Sequence, residues 1–152
     1  LTHLLNRRSY ESRLASLRGH AVIYYLDVDE FKSVNDTFGH GVGDAVLAEV
    51  GSTIYAVFSK VGYCYRIGGD EFCVIAQISD TAAEKYLSEF LRELTARRVK
   101  NEHLPHVSVG YACFNPVLGS VEDAIKRADR MMYHYKRKLK SEALTNDDTV
   151  KS

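Results

Sequence analysis

The segment from residue 66 to residue 72 constrains the fold most, because it is typical of the tip of a β-hairpin. Two glycines and two adjacent carboxylates stand between apolar runs, in the order Arg66-Ile67-Gly68-Gly69-Asp70-Glu71-Phe72. Glycine tolerates positive φ and, without a Cβ atom, lets a ligand come close to the chain. Asp70 and Glu71 carry the oxygen donors that Mg²⁺ accepts together with substrate phosphates. The tip is therefore a candidate site for a polyphosphate and its metal ions.

A third carboxylate follows a second apolar run. Residues 21–26 read AVIYYL, which is typical of a buried strand, and Asp27 comes directly after them. If this strand lies beside the hairpin, Asp27 and Asp70 converge. The alternative is that the glycines and acids of the tip are ordinary turn residues in contact with water.

Residues 27–44 are dense in carboxylates, amides and glycines. A strand end that leads into a helix offers free backbone N–H groups, so the amides after Val28 are candidates for binding phosphate oxygens. Asn35 and Asp44 supply an amide and an acceptor-only carboxylate, the two types of group needed to recognise a guanine edge. Taken alone, each is also typical of a helix cap or a turn.

The periodicity of apolar residues predicts an α+β fold. We expect a ferredoxin-like βαββαβ sheet of the polymerase-palm type, rich in antiparallel pairs, with extra terminal helices and with helices mainly on one face. The alternation of residues 107–113 indicates a strand covered on one face. One domain is expected over residues 1–140, followed by a polar tail at 141–152 that frays. Helices are expected at 6–17, 42–58, 83–94 and 121–139, and strands at 21–26, 63–67, 72–77 and 107–113.

Composition limits the classes of function. The chain has 152 residues, 45% of them hydrophobic, which fits one domain with a substantial core. Its formal net charge of zero argues against a nucleic-acid binder that relies on overall charge. The three cysteines lack a metal-ligand spacing and are expected to be buried free thiols, as in a reducing cytoplasm. No segment approaches the roughly 18–20 apolar residues that cross a bilayer.

Four segments, in their order and spacing, resemble the GGDEF family of diguanylate cyclases. They are residues 1–8 (LTHLLNRR), residues 27–44, residues 68–72 (GGDEF) and residues 128–133 (ADRMMY), and together they span nearly the whole chain. The resemblance implies condensation of two GTP molecules into cyclic di-GMP with release of two pyrophosphates. It also implies two domains facing each other, since one domain holds one GTP.

The resemblance assigns roles to particular residues. Metal ions would be held by Asp27, Asp70 and the backbone carbonyl of Val28. Asp70 would also be the base that accepts the proton of the attacking 3′-hydroxyl, with Glu71 as a further ligand or a partner of the ligands. Asn35 and Asp44 match the guanine-contacting positions. Nucleotide phosphates and the surrounding substrate site would involve Glu30, Phe31, Lys32, Gly69, Lys136 and Lys140.

The same resemblance implies cofactors, partners and location. Each active site would take two Mg²⁺ ions, with Mn²⁺ as a substitute. The partners would be GTP and a second copy of the domain, with no nucleic acid and no membrane contact by the domain itself. We expect a cytoplasmic domain of a longer protein whose sensory part, and any anchor in the inner membrane, lie upstream.

Three stretches depart from the family pattern. His3 stands at a family glycine, a change that we expect to be tolerated. Residues 139–141 (LKS) replace a frequent Gly-Arg-Asn, so Lys140 keeps the charge but loses the bidentate geometry of arginine. Residues 59–62 (SKVG) replace the Arg-x-x-Asp of the product-binding inhibitory site. Feedback inhibition is therefore predicted to be absent.

Two alternatives remain open at this point. The chain could be a GTP-binding regulatory module that has lost catalysis, since the contacts to the terminal phosphates deviate from the family. It could also be an RNA-binding domain of the same topology, for which Tyr63 and Tyr65 would supply stacking aromatic rings.

Overall fold

A computed structural model of the chain shows four strands and five α-helices, with a short 3₁₀ turn before the fourth helix. It describes the backbone of residues 1–151 and the side chains of residues 1–145. The elements in chain order are α1 (Arg7–Ser16), β1 (Ala21–Val28), α2 (Phe31–Phe38), α3 (His40–Phe58), β2 (Gly62–Arg66), β3 (Glu71–Ala76), α4 (Ala83–Lys100), β4 (Val107–Phe114) and α5 (Val121–Lys151).

The four strands form one sheet in the order β2-β3-β1-β4, and all three neighbouring pairs are antiparallel. This is the ferredoxin-like topology that the sequence predicts. Strand β1 lies in the middle, and Asp27 is the register partner of Glu71 on β3 and of Ser108 on β4. The centre of the sheet therefore carries Asp27 to the same edge as the hairpin tip.

Helices cover both faces of the sheet, so the prediction of helices mainly on one face is wrong. One core contains alternate β1 residues such as Tyr24 and Leu26 together with apolar residues of α3 and α4. The other contains Ile23 with Tyr10 of α1 and with Ala124 and Ala128 of α5. Antiparallel sheets often leave one face in water, but here the two terminal helices cover the second face.

The small residues of β4 show how closely α5 approaches the sheet. Ser108 and Ala112, interpreted from the sequence as part of an uncovered face, are buried. A Cβ atom on Gly110 would lie 2.1 Å from the carbonyl oxygen of Ala128 and 2.2 Å from the amide nitrogen of Met132. Small side chains here reflect contact with a helix rather than with solvent, because only they leave room for the helix backbone.

Several element boundaries differ from the predicted ones. Helix α2 lies between the predicted strand at 21–26 and the predicted helix at 42–58, where no helix is predicted. Gly39, at φ 90°, separates it from α3. The last helix runs to Lys151, beyond the predicted end at residue 139. Residues 140–151 contain no glycine or proline, so nothing in their sequence terminates a helix. The side chains of residues 146–152 lie outside the described part of the chain.

Helix α3 is long and apolar enough to span a membrane by length and composition alone, with a mean hydropathy of 1.2 over its candidate window. The prediction that no segment approaches the length and apolarity of a membrane span is therefore wrong for this helix. Its apolar stripe is fully buried against the sheet, at positions Val46, Val50, Ile54 and Phe58. A core helix of this kind passes the same test, because its buried face carries the apolar residues.

The N-terminal segment lies along the outer edge of β2. The amide of Leu5 donates to the carbonyl of Cys64 over 3.1 Å, and the amide of Arg66 donates to the carbonyl of Leu5 over 2.8 Å. Thr2 packs against α3, where a Cβ atom on Gly51 would come within 2.9 Å of the Thr2 Cβ. His3, between them, adopts the left-handed conformation with φ 60°, which a glycine would adopt without strain.

Candidate active site

Asp27 and the hairpin tip meet at one edge of the sheet, as the sequence predicts. Asp27 lies one residue before the end of β1, and the amide of the next residue, Val28, donates to the backbone carbonyl of Asp70 over 3.0 Å. The antiparallel register sets Asp27 opposite Glu71. Two neighbouring strands thus carry Asp27, Asp70 and Glu71 to the same edge of the sheet.

The hairpin tip is held by backbone hydrogen bonds and by an arginine. The amides of Ile67 and Gly68 donate to the carbonyl of Glu71 over 2.9 and 3.3 Å. The Arg66 guanidinium donates twice to the carbonyl of Gly69, from Nε over 3.2 Å and from Nη2 over 2.8 Å. These contacts fix the loop that presents Asp70.

The two glycines contribute space rather than an unusual backbone conformation. Neither Gly68 nor Gly69 adopts a positive φ. Apart from Gly69 itself and its two chain neighbours, no described residue has an atom within 4 Å of the place that a Gly69 Cβ would take. Gly69 also lines a cavity of about 530 Å³ between the hairpin and the N-terminal residues 1–6. A ligand can therefore approach the tip directly, as the sequence suggests.

The carboxylates are mutually repelling and partly withdrawn from water. Burial, followed by the nearby Asp27 carboxylate, raises the pKa of Asp70. Burial also raises the pKa of Glu71, with further contributions from the charges of Asp27 and Asp70. Such a cluster favours a bound cation, because each negative charge makes its neighbours harder to ionise.

The donor set fits magnesium. In the part of the chain whose side chains are described, no three His, Cys, Asp or Glu side chains surround a common point. Mg²⁺ does not require such a cage, since it binds through one or two carboxylates together with water and substrate phosphates. Asp27, Asp70 and the carbonyl of Val28 lie at the shared edge of β1 and β3 and are the groups that would supply that chemistry.

Lys136 of α5 contacts the carboxylate of Asp27 directly. Its Nζ donates to Oδ2 of Asp27 over 2.8 Å, with the Asp27 side chain 13% exposed and the Lys136 side chain 45% exposed. This hydrogen bond is the main cause of the raised pKa of Lys136, which the charges of Asp29 and Asp70 raise further. The family resemblance assigns Lys136 to phosphates, so its bond to Asp27 is an additional finding.

Asp29 and Ser108 lie beside these residues, although no motif in the sequence singles them out. The Oγ of Ser108 donates to Oδ1 of Asp29 over 2.7 Å, and Ser108 is fully buried. Burial raises the pKa of Asp29, against the opposing effects of the Ser108 hydrogen bond and of Lys136. The spacing Asp27-x-Asp29 is a signal for the acid, whereas the serine resembles a solvent-facing residue of an alternating strand.

The start of α2 supplies the backbone amides expected for phosphates. Glu30 adopts the left-handed conformation, with φ 55° and ψ 30°, and its carbonyl accepts from the amide of Val34 over 3.1 Å. The first amides of a helix, here from Phe31 and Lys32 onward, have no partner within the helix. Glu30 also lines a cleft of about 160 Å³ with Lys136 and Lys140. The predicted phosphate residues thus lie around the start of α2 and the cleft beside α5.

The predicted guanine-contacting residues lie near each other where α2 packs on α3. Oδ1 of Asn35 lies 1.8 Å from the place that a Cβ atom of Gly43 would take, so a larger residue at position 43 would displace the Asn35 side chain. Asp44 is the next residue and is exposed. The structure therefore brings Asn35 and Asp44 to one junction between helices.

The two aromatic residues considered for RNA stacking are not equivalent. Tyr63 is 45% exposed, with the Arg13 guanidinium 4.1 Å from the centre of its ring, whereas Tyr65 is 1% exposed. A buried ring cannot stack on a base. The strand therefore offers no pair of aromatic side chains for that purpose at these positions.

Comparison with known proteins places this site in a family. The sequence profile described as "Diguanylate cyclase, GGDEF domain" matches residues 1–142. The chain is 34% identical over 149 residues to the probable diguanylate cyclase DgcC of Escherichia coli (strain K12), covering 90% of this chain and 40% of DgcC. It is 30% identical to a diguanylate cyclase of Vibrio cholerae, covering 90% of this chain and 46% of that protein. The chain thus spans less than half the length of these relatives.

Solved structures agree with this placement. The GGDEF domain of DgcB from Caulobacter crescentus, crystallised in complex with c-di-GMP, superposes with a TM-score of 0.78 at 32% identity, covering 90% of this chain and 88% of that one. The diguanylate cyclase SiaD of Pseudomonas aeruginosa, in complex with its activator SiaC, gives a TM-score of 0.76 at 30% identity, covering 90% and 56%. With the carboxylate edge and the profile match, these similarities show that the chain belongs to the diguanylate cyclase GGDEF-domain family.

Proposed function

We propose that this domain condenses two GTP molecules into cyclic di-GMP and releases two pyrophosphates. The observation that carries the proposal is the convergence of Asp27 and Asp70 at one edge of β1 and β3, beside the open tip at Gly69. Family membership supports it, and so do the names of the relatives. Because the chain spans less than half of those proteins, the proposal is argued from the residues of this domain.

The residues around the edge would bind and orient the nucleotide. Asn35 and Asp44 would recognise the guanine, since an amide and a carboxylate match its donors and acceptors. The backbone amides of Glu30 and Phe31, with Lys32 and Lys140, would contact the phosphates. Such positioning contributes much of the rate of phosphoryl transfer.

Asp27, Asp70 and the carbonyl of Val28 would hold two Mg²⁺ ions, for which Mn²⁺ can substitute, with Glu71 as a further ligand or as a partner of these ligands. Bound metal supplies charge neutralisation on the phosphates and favours ionisation of the attacking hydroxyl. Asp70 accepts the proton of the 3′-hydroxyl. The 3′-oxygen forms a bond to the α-phosphorus, the bond from that phosphorus to the bridging oxygen breaks, and pyrophosphate leaves with the bonding electrons.

Ring closure requires the same step a second time, with the two nucleotides exchanging the roles of attacking hydroxyl and α-phosphate donor. One domain binds one GTP, so two domains would face each other about a two-fold axis and each would present its 3′-hydroxyl to the other nucleotide. The partners are therefore GTP and a second copy of this domain. We place the reaction in the cytoplasm, where GTP is available.

The test is incubation of the purified domain with GTP and Mg²⁺, followed by chromatography of the products over a dilution series. We expect cyclic di-GMP and pyrophosphate in a 1:2 ratio, with a rate per domain that falls on dilution. Asp70→Ala should abolish turnover, whereas Glu122→Ala, which removes an exposed acid at the start of α5, should not change it.

Two outcomes would contradict the proposal. Retained GTP binding without product at any concentration would favour the alternative of a regulatory module that has lost catalysis. A rate per domain that is independent of protein concentration would contradict the two-domain arrangement.

A further inference from the structure

Lys136 binds a carboxylate oxygen of the residue that is the leading candidate for a metal ligand. The distance from its Nζ to Oδ2 of Asp27 is 2.8 Å, and Asp27 is largely shielded from water. An ammonium group and a divalent cation are both attracted to a carboxylate, and they repel each other at this range. Metal binding at Asp27 therefore has to displace the ammonium group or weaken its contact.

Asp29 provides a second anionic partner close by. Its Oδ1 is held by the buried hydroxyl of Ser108 over 2.7 Å, which fixes the direction of the carboxylate. Asp29 and Lys136 line the same cleft of about 160 Å³, and the charge of Asp29 acts on the lysine. A carboxylate with one oxygen bound to serine still has acceptor capacity for an ammonium group.

The helix that carries Lys136 is fixed against the sheet. Gly110 of β4 contacts the backbone of α5 at Ala128 and at Met132. Met132 lies one helical turn before Lys136. The backbone at Lys136 therefore has little freedom to shift. A change of partner would take place within the lysine side chain, whose four-carbon stem is flexible.

From this geometry we propose that Lys136 is an exchangeable counter-ion of the metal site and that Asp29 is the positioning residue that receives it. Without metal, Lys136 neutralises Asp27. When a divalent cation binds Asp27, the ammonium group moves toward Asp29 and toward the phosphates of a bound nucleotide. The inference rests on the proposed function only in taking Asp27 as a metal ligand.

The exchange links metal binding to nucleotide binding. Lys136 opposes metal binding in the absence of nucleotide, and phosphates that attract the ammonium group remove this opposition. Because such coupling is reciprocal, metal should strengthen nucleotide binding by the same factor. The lysine would thus keep the domain from holding a metal ion firmly before its substrate arrives.

The test measures Mn²⁺ affinity without nucleotide, from the electron paramagnetic resonance signal of free Mn²⁺, so that it does not depend on turnover. Lys136→Met should raise the affinity about fivefold, the size of effect expected for a partly exposed ion pair. Lys140→Met is the matched control, because it removes the same charge one turn later in the same cleft. It should change the affinity less than about twofold.

Asp29→Asn tests the second partner. In the wild-type background it should lower Mn²⁺ affinity about threefold, because the lysine then remains on Asp27. In the Lys136→Met background the loss should be clearly smaller. A non-reacting GTP analogue with an α,β-methylene bridge should raise Mn²⁺ affinity more in the wild type than in Lys136→Met.

Equal Mn²⁺ affinities for Lys136→Met and Lys140→Met would overturn the proposal. An equal effect of Asp29→Asn in both backgrounds would overturn the role of Asp29. These results are independent of the activity assay. A domain that makes no cyclic di-GMP can still show the predicted change in metal affinity, and an active domain can fail to show it.

Discussion

At the scale of single residues, the negative charge of Asp70 lowers the stability of the folded domain. Asp70 is partly buried beside Asp27, and both burial and that neighbouring charge raise its pKa. When the pKa of a carboxyl group is higher in the folded state than in the unfolded chain, ionisation of that group lowers the free energy of unfolding. At neutral pH the ionised Asp70 therefore destabilises the metal-free domain.

Asp70→Asn should raise the melting temperature of the metal-free domain at pH 7, by about 1–3 °C. The amide has nearly the shape of the carboxylate but carries no charge, so it removes the repulsion from Asp27. Thermal unfolding followed by circular dichroism, in the presence of a chelator, measures the effect. A lower melting temperature would show that the carboxylate is stabilised by contacts that outweigh this repulsion.

The cysteines should be unreactive in the folded domain, although Cys113 is half-buried rather than buried as the sequence predicts. Burial raises the pKa of the Cys64 thiol to about 12, and burial with a hydrogen bond to Asp80 raises the pKa of Cys113 to about 11. Cys73 is fully buried and its pKa is also raised. The thiolate is the reactive form, so alkylation by iodoacetamide at pH 8 should be slow for all three until the protein is unfolded. Mass spectrometry of the native and the denatured protein measures the extent of alkylation. Rapid labelling of the native protein would contradict the prediction.

At the scale of the elements, the contact between β4 and α5 positions the functional side chains of the last helix. The glycine of β4 allows backbone-to-backbone approach, and Lys136 and Lys140 lie on the same helix beyond that contact. The position of Lys136 and Lys140 beside the acidic residues therefore depends on Gly110, a residue without a functional side chain.

Gly110→Ala should destabilise the domain by about 3 kcal/mol or more, because a methyl group would overlap backbone atoms that cannot move independently. Gly19→Ala is the control, since a methyl group there would meet no described atom within 4 Å. It should change the free energy of unfolding by less than about 0.5 kcal/mol. Urea unfolding of both variants gives the comparison. Similar values for the two would show that α5 can shift without loss of stability.

The order of the elements could be predicted from the sequence, because period-two and period-3.6 patterns of apolar residues are local signals. The covering of the second face of the sheet by α1 and α5 could not be predicted in this way. Small residues at Ser108, Gly110 and Ala112 alternate with larger ones along β4, and this alternation would be the same whether water or a helix lay against them. Which of the two covers a strand is decided by a partner far along the chain.

In the candidate site, too, the features with a local sequence signal could be predicted and those set by a distant partner could not. The acids of the hairpin and Asp27 could be found because they stand at the ends of apolar strands. The pairing of Lys136 with Asp27 spans 109 positions, and no local pattern in the sequence carries information about it. The irregular appearance of residues 31–38 likewise hid α2, because the helix is short and has polar residues on its outer side.

At the scale of the whole molecule, the backbone at the start of β2 bears on the predicted lack of product inhibition. Gly62 stands where the family motif has aspartate. A Cβ atom there would lie 2.4 Å from the carbonyl oxygen of Ile75 on the neighbouring strand. The backbone at the start of β2 therefore leaves no space for the acid.

Cyclic di-GMP should not inhibit the proposed reaction, because residues 59–62 lack both the arginine and the aspartate that would bind it. Initial rates measured with added product test this at a fixed protein concentration. Gly62→Asp should destabilise the fold rather than restore inhibition. Tight binding of cyclic di-GMP at a site that includes Lys60 would contradict the prediction.

The strand formed by residues 62–66 is the outermost on its side of the sheet, and Leu5 occupies part of its free border. Unpaired main-chain groups on such a border can recruit a strand from another molecule. A domain trimmed before Arg7 would uncover them. It would then tend to aggregate through strand addition, a form of self-association that brings no two nucleotides together.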